Sequence, residues 1–239
     1  MLVAAAVCPC PPLLVPEVAA GAAPELDAAR AACTDALGVL AASRPDRLVV
    51  VGPADTAGPE TYPQGARGSF RGFGVDLDVC LGADGTGGDV GGAVLPYGLA
   101  VGAWLLGRTG WAGVPVDAVG VGEALPAERC AALGRDVAER AGRTALLVLG
   151  DASACRTLKA PGYLDARAAP FDAEAARALG AADVAALAAL DVALARELKV
   201  SGRAPWQVLA GAAEGTDLGG ALLYEDAPYG VGYVAATWS

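Results

Sequence analysis

Residues 1–16 read "MLVAAAVCPCPPLLVP", a short uninterrupted apolar run that stops at a cluster of prolines. An unbroken run of this length suits a strand buried on both faces better than an amphipathic one. Proline cannot continue such a strand, so the chain leaves the sheet at Pro9. Cys8 and Cys10 therefore stand at a strand's carboxyl end, where open α/β sheets bind ligands.

The same grammar recurs downstream. Residues 16–43 carry helical periodicity in Leu26, Ala29, Cys33 and Leu37, and "RLVVVG" follows as a second buried strand. "LPYGLAVGAWLLGRTG" and "PAERCAALGRDVAERAG" each open at Pro and close at Gly, as helices do. "VPVDAVGVG" and "RTALLVLG" read as further strands. The segment 173–198 reads as helix with a break near Gly180, and "APWQVLAGAA" as a short helix. "GALLYEDAPYGVGYVAATW" reads as an antiparallel hairpin turning near residues 226–228. "GFGVDLDVCLG" alternates like a strand, "ADGTGGDVGG" reads as a flexible turn, and residues 52–70 and 150–172 read as long polar loops. These elements predict one α/β domain over residues 1–239, with a mixed central sheet flanked by helices on both faces.

The composition narrows the partners. The net charge is −10, and Lys159 and Lys199 are the two lysines, so no polybasic patch exists for nucleic acid or an anionic membrane. Mean hydropathy is +0.44. Even so, Pro and Gly interrupt the apolar stretches well short of the roughly 20 residues a membrane span needs. "LVAAAVC" resembles a lipoprotein cleavage box, but no Lys or Arg precedes it, and no lipid anchor is expected. Six cysteines at irregular spacing form no disulfide framework, which points to a reduced, cytoplasmic chain. "GADGTGGDVGG" lacks the GK[ST] ending of a phosphate loop.

The order of "AAVCPCPPLLVPE", "LVVVGPA", "LPYGLAVGAWLL", "LLVLGDASA" and "GRAPWQVLAGA" resembles the LigB-like superfamily, the class III extradiol ring-cleavage dioxygenases and their relatives, across nearly the whole chain. The resemblance implies a ferrous site of two histidines and a glutamate, open to a catecholate and dioxygen. This chain has no histidine. By the resemblance, Cys10 stands where the first iron-binding imidazole would be, and Gly52, Pro53 and Ala54 stand at the second. Arg203 or Ala204 takes the place of the glutamate, Pro96-Tyr97-Gly98 that of an Asp-His-Gly, and Ala154, Cys155 and Arg156 that of a later catalytic histidine. The implied protein keeps the pocket and lacks the iron and any cofactor. It is a pseudoenzyme or a binder of a small anionic ligand.

Candidate catalytic residues are Cys10, Asp151, Cys155 and Arg156; candidate ligand-binding residues are Cys10, Asp55, Tyr97, Ser153, Lys159, Tyr163 and Arg203. Cys8 and Cys10 read either as a soft-metal or redox pair or as small buried hydrophobes. The 150s loop reads either as a pocket lining or as a capped turn with a solvated Lys159–Asp165 pair. Arg203 reads either as an anion-binding cation or as a surface residue after a "SG" turn. Two other readings remain: an enzyme of altered chemistry built on Cys10, Asp55, Asp151 and Cys155, and an assembly partner. In the latter, Tyr224, Tyr229, Tyr233 and Trp238 would mediate a homodimer through the hairpin.

Overall fold

The computed structural model describes residues 1–82, 94–111, 113–140 and 142–239. The run read as a flexible turn, residues 83–92, lies outside them.

The first strand, β1 (Leu2–Cys8), ends where the prolines begin. A short α1 (Pro16–Ala19) and a 3-10 segment precede α2 (Asp27–Ala42), so the helix read from residue 16 becomes regular only at Asp27. Pro24 inside the 3-10 segment lacks the N–H that an α-helix would use. Strand β2 (Arg47–Pro53) follows, and the loop read at 52–70 contains two short strands, β3 (Glu60–Tyr62) and β4 (Arg67–Ser69). Of the alternating run after it, only β5 (Asp78–Cys80) is a strand, paired with β4 outside the main sheet. Gly74 at φ +85° turns the chain before that strand begins. Next come α3 (Tyr97–Arg108), β6 (Val116–Val121), α4 (Ala127–Glu139) and β7 (Thr144–Leu149). The late helical region divides into α5 (Ala168–Gly180), α6 (Val184–Ala188) and α7 (Val192–Glu197). It breaks after Gly180 as expected, and Asp183 and Asp191 each cap a new helix by accepting a backbone N–H. The chain ends with α8 (Arg203–Ala212) and the hairpin β8 (Gly220–Asp226) and β9 (Tyr233–Trp238).

Seven strands form a mixed sheet in the order β3-β6-β2-β7-β1-β9-β8. The inner strands β6, β2, β7 and β1 are parallel, and β3 and β9 join them antiparallel. Period-2 alternation divides the strands between two cores. Ala4, Ala6, Leu48, Val50, Leu147 and Leu149 face α2 and α3. Ala5, Val7, Val49, Val51, Leu146 and Val148 face α4, α5 and α8. This is the expected α/β architecture, with helices on both faces. Gly134 on α4 and Gly211 on α8 let those helices meet backbone to backbone, since a Cβ on either would overlap the other's main chain.

All four parallel strands deliver their carboxyl ends to one edge. That edge carries the residues after β1, β2, β6 and β7, together with the start of the antiparallel β9.

Candidate functional site at the carboxyl ends of the strands

The segment after β1 is held to the segment after β7 by one hydrogen bond: the Cys10 backbone N–H donates to Asp151 Oδ1 at 2.8 Å. Asp151 is anchored again through its own backbone, whose N–H donates to Ser201 Oγ at 2.9 Å and whose carbonyl accepts from Gly202 N–H at 2.9 Å. That docking needs glycine at position 150, because a Cβ there would overlap the Gly202 backbone, and a Cβ on Gly202 would strike the Trp206 ring. A carboxyl thus sits at the floor of the strand ends, half-buried, between the first strand's exit and the turn that starts α8.

Burial pushes the Asp151 carboxyl up to about 7, and the single Cys10 N–H pulls it back only in part. Tyr97 opens α3 beside it. Burial lifts the Tyr97 hydroxyl above the usual phenol range, the neighbouring Cys10, Asp151 and Glu123 add to the rise, and Ser201 opposes it by hydrogen bonding. Yet 43% of the Tyr97 surface stays open. Tyr233, the first residue of β9, is raised in the same way by burial and then by Asp151. Near neutrality both phenols therefore keep their protons and act as donors.

From Tyr97 a cleft of about 490 Å³ runs along the strand ends, lined by Pro53–Thr56 after β2, Glu123 and Ala124 after β6, Pro96 and Arg196. Asp55 and Glu123 bring negative charge to its mouth. The cation is Arg196 on α7, whose guanidinium forms no ion pair among the described residues.

No protein-family model and no curated protein matches the chain. Among solved structures it is similar to an uncharacterized protein, JW3007, from Escherichia coli K12, at 16% identity and a TM-score of 0.62 over 99% of this chain and 100% of that one. At that identity the likeness shows the shared fold.

Of the sequence candidates, Cys10, Tyr97 and Asp151 converge, with Asp55 in the adjoining cleft. The Cys10 side chain is fully buried and burial raises its thiol, with Asp151 and Cys33 adding to the rise. Cys8 is raised first by its interaction with the Cys33 thiol and then by burial. Both are neutral thiols packed in the α2/α3 core. Cys10 therefore contributes its backbone N–H to the site.

The rest of the 150s loop is turned elsewhere. Asp172 accepts from Ser153 N–H and Ser153 Oγ, both at 2.8 Å, and from Arg156 Nη1 at 3.0 Å, so Ser153 and Arg156 belong to a closed internal network. The Cys155 thiol donates to the Leu198 carbonyl at 3.5 Å and is buried. Lys159 lines a separate groove with Tyr229, and Tyr163 projects into solvent at 64% exposure.

Arg203 departs furthest from its expected role. It is 1% exposed, and its guanidinium donates to the carbonyls of Glu123 and Leu125 and to Gln207 Oε1. It braces the turn between β6 and α4 and does not line the cleft; the convergence of Cys10 with Arg203, and an anion site built on Arg203, are corrected accordingly.

The positions that the resemblance assigns to iron do not fit ferrous ion. They offer a neutral buried thiol, three residues without side-chain donors (Gly52, Pro53 and Ala54), and a cation committed to main-chain carbonyls. No group of three or more His, Cys, Asp or Glu suited to a metal is found among the described residues.

Sequence reasoning missed Ser201, Tyr233, Glu123 and Arg196. Ser201 had a weak signal in the "SG" turn before α8. Tyr233 had none, because its place depends on β9 pairing with β1. The hairpin aromatics also differ from the expected edge cluster: Tyr233 and Trp238 are buried, and the Trp238 indole donates to the Leu179 carbonyl at 2.6 Å.

Proposed function

We propose that this chain is a LigB-like protein whose cleft binds a small polar molecule without iron, a cytoplasmic pseudoenzyme by the standard of extradiol ring cleavage. The observation that carries the reading is the Asp151 carboxyl, fixed by the Cys10 N–H beside the half-open Tyr97 at the end of a cleft between parallel strand ends. Such crevices are where open α/β sheets take ligands. A carboxylate-bearing ligand is favoured by Arg196, whose charge has no ion-pair partner to displace among the described residues. Among the described residues no helix is long and apolar enough to cross a membrane.

An assembly role through the hairpin has less support. With Tyr233 and Trp238 inside, the outer strand offers Leu222 and Leu223, and its register shifts between Leu222 and Tyr224. A bulge of that kind discourages edge-to-edge pairing.

The test has two arms. Purified protein given ferrous ion and protocatechuate is expected to open no ring, and ferrous-dependent ring opening overturns the iron-free reading. Ligand-observed NMR with a panel of small aromatic and aliphatic carboxylates is expected to find a binder that Arg196→Ala and Tyr97→Ala weaken. A panel without binders, or binders indifferent to both substitutions, overturns the cleft.

A further inference from the structure

Asp151 differs from Asp172, the buried acid on α5, in what its second oxygen meets. Oδ1 takes the Cys10 N–H, while Oδ2 receives no hydrogen bond from the described residues. The residue is partly exposed, and Oδ2 is not among the fully enclosed side-chain atoms left without a partner, so that oxygen keeps some accessible surface. The titratable groups that face it are the Cys10 thiol from the exit of β1, the Tyr97 phenol from α3 and the Tyr233 phenol from β9. All three are held in the protonated, neutral form. Asp151 is thus the one base among them, and Tyr97 is the donor nearest the cleft.

A partly desolvated carboxylate beside an un-ionised tyrosine is the pairing that carbon-acid chemistry requires. The base removes a proton next to a carbonyl, and the phenol holds the oxygen on which charge develops. On this basis, and resting on the reading of the cleft as a small-molecule site, we propose that Asp151 and Tyr97 form a metal-independent proton-transfer site acting on enolisable 2-oxo acids, with Arg196 receiving the carboxylate.

The step balances without a co-reactant. The C–H bond beside the carbonyl breaks, its electron pair forms the new C=C bond, and the carbonyl π pair moves onto oxygen, where the Tyr97 hydroxyl donates a hydrogen bond. The proton goes to Asp151 Oδ2 and is then delivered to the enolate oxygen. Carbon is neither oxidised nor reduced, and Asp151 returns to the carboxylate. A carboxyl that titrates at about 7 populates both the accepting and the donating form at neutral pH, which suits a group that must do each in turn.

The probe is phenylpyruvate with the intact protein in the presence of a chelator. Exchange of its C3 protons into deuterated water is followed by NMR, enol formation by ultraviolet absorbance, and binding by saturation transfer. The wild type is expected to exchange these protons faster than buffer, with a rate that rises with pH through a midpoint near 7. Asp151→Asn, which keeps the acceptor for the Cys10 N–H, is expected to bind phenylpyruvate and lose exchange by about 100-fold. Tyr97→Phe is expected to lose on the order of 10-fold while keeping the pH midpoint.

Binding without exchange above buffer overturns the proposal and leaves the binding site standing. So does full exchange in an Asp151→Asn protein whose thermal melt shows it folded. Absence of phenylpyruvate binding overturns the 2-oxo acid assignment too, and the cleft then stands or falls on the separate carboxylate panel.

Discussion

Two buried or half-buried acids stand on either side of the loop after β7, Asp151 near its start and Asp172 on α5, and they live in opposite circumstances. Asp172, reached across the loop, is 2% exposed and accepts three hydrogen bonds from Ser153 and Arg156. Asp151, the loop's second residue, accepts one hydrogen bond on its carboxyl among the described residues, and its other oxygen has no partner there. Burial raises both carboxyls, in each case as the largest cause, so a displaced pKa does not separate them. Acceptor saturation does. An acid whose lone pairs are filled by its own chain is a fastener, and one left half-filled at a cleft is available for chemistry. Arg203 obeys the same rule from the cationic side, with its donors consumed by carbonyls, whereas the Arg196 guanidinium has no ion-pair partner among the described residues.

The harshest way to break this contrast is to remove the fastener. Asp172→Ala leaves the Ser153 N–H and the Arg156 guanidinium without their acceptor, and Arg156 is 30% exposed, so part of its charge is recovered by water. The expected loss is about 3 kcal/mol in urea unfolding, or about 6–12 °C in melting temperature for a chain of this size. A loss under about 1 kcal/mol would mean that the network is ornamental and that Asp172 could as well be a site residue.

Arg203 comes next. Arg203→Met keeps the bulk and removes the donors, leaving the carbonyls of Glu123 and Leu125 unpaired against α4 and α8. The expected cost is about 2 kcal/mol, with ligand affinity in the cleft unchanged for the folded fraction. Loss of affinity at unchanged stability would instead return Arg203 to the binding site.

These two residues also mark what a sequence can disclose. The sheet was legible because β1, β2, β6 and β7 are short apolar runs bounded by Pro, Gly or polar residues, and the helices because their apolar positions recur at helical spacing. The strand-end address of Cys10 and Asp151 followed from that pattern alone. What could not be read was direction. Ser153 and Asp151 are two residues apart in one loop, yet one side chain turns to α5 and the other to the exit of β1, a choice made by partners 19 and 141 residues away. Cys10 shows the same limit in another form, since the backbone N–H, common to nearly every residue type, is what the site uses.

A titration sharpens the comparison on the open side. A carboxyl that titrates near 3.9 in an unfolded chain and at about 7 in the fold holds a proton in the native state that the unfolded state has released, so stability falls as pH rises between those values. The full shift corresponds to roughly 4 kcal/mol, and partial solvent access halves it to roughly 2 kcal/mol. Asp151→Asn abolishes this component while keeping the Cys10 hydrogen bond. Wild type and variant should unfold alike near pH 4.5, and the variant should be the more stable by roughly 2 kcal/mol near pH 8. Parallel curves across that range would show that Asp151 is solvated like an ordinary surface acid, and the contrast with Asp172 would reduce to exposure alone.

The smallest effect concerns Tyr163, a sequence candidate that the fold leaves outside both clusters. Its backbone is left-handed at φ +63°, a conformation that costs a residue with a Cβ about 1–2 kcal/mol, and its ring is 64% exposed with little packing to offset that. The turn is held by the backbone instead: the Tyr163 N–H donates to the Ala160 carbonyl at 2.9 Å and the Gly162 N–H to the Ala154 carbonyl at 2.8 Å. Tyr163→Gly removes the Cβ clash and adds freedom to the unfolded chain worth about 0.5–1 kcal/mol, so the net gain should be about 0.5 kcal/mol, with ligand binding untouched. Replicate urea curves resolve a shift of that size only as a change in midpoint at constant slope. A destabilised variant would show that the exposed ring holds the loop after all, and a variant with weakened binding would place Tyr163 back beside Asp151, contrary to the division of the loop into an open and a closed half.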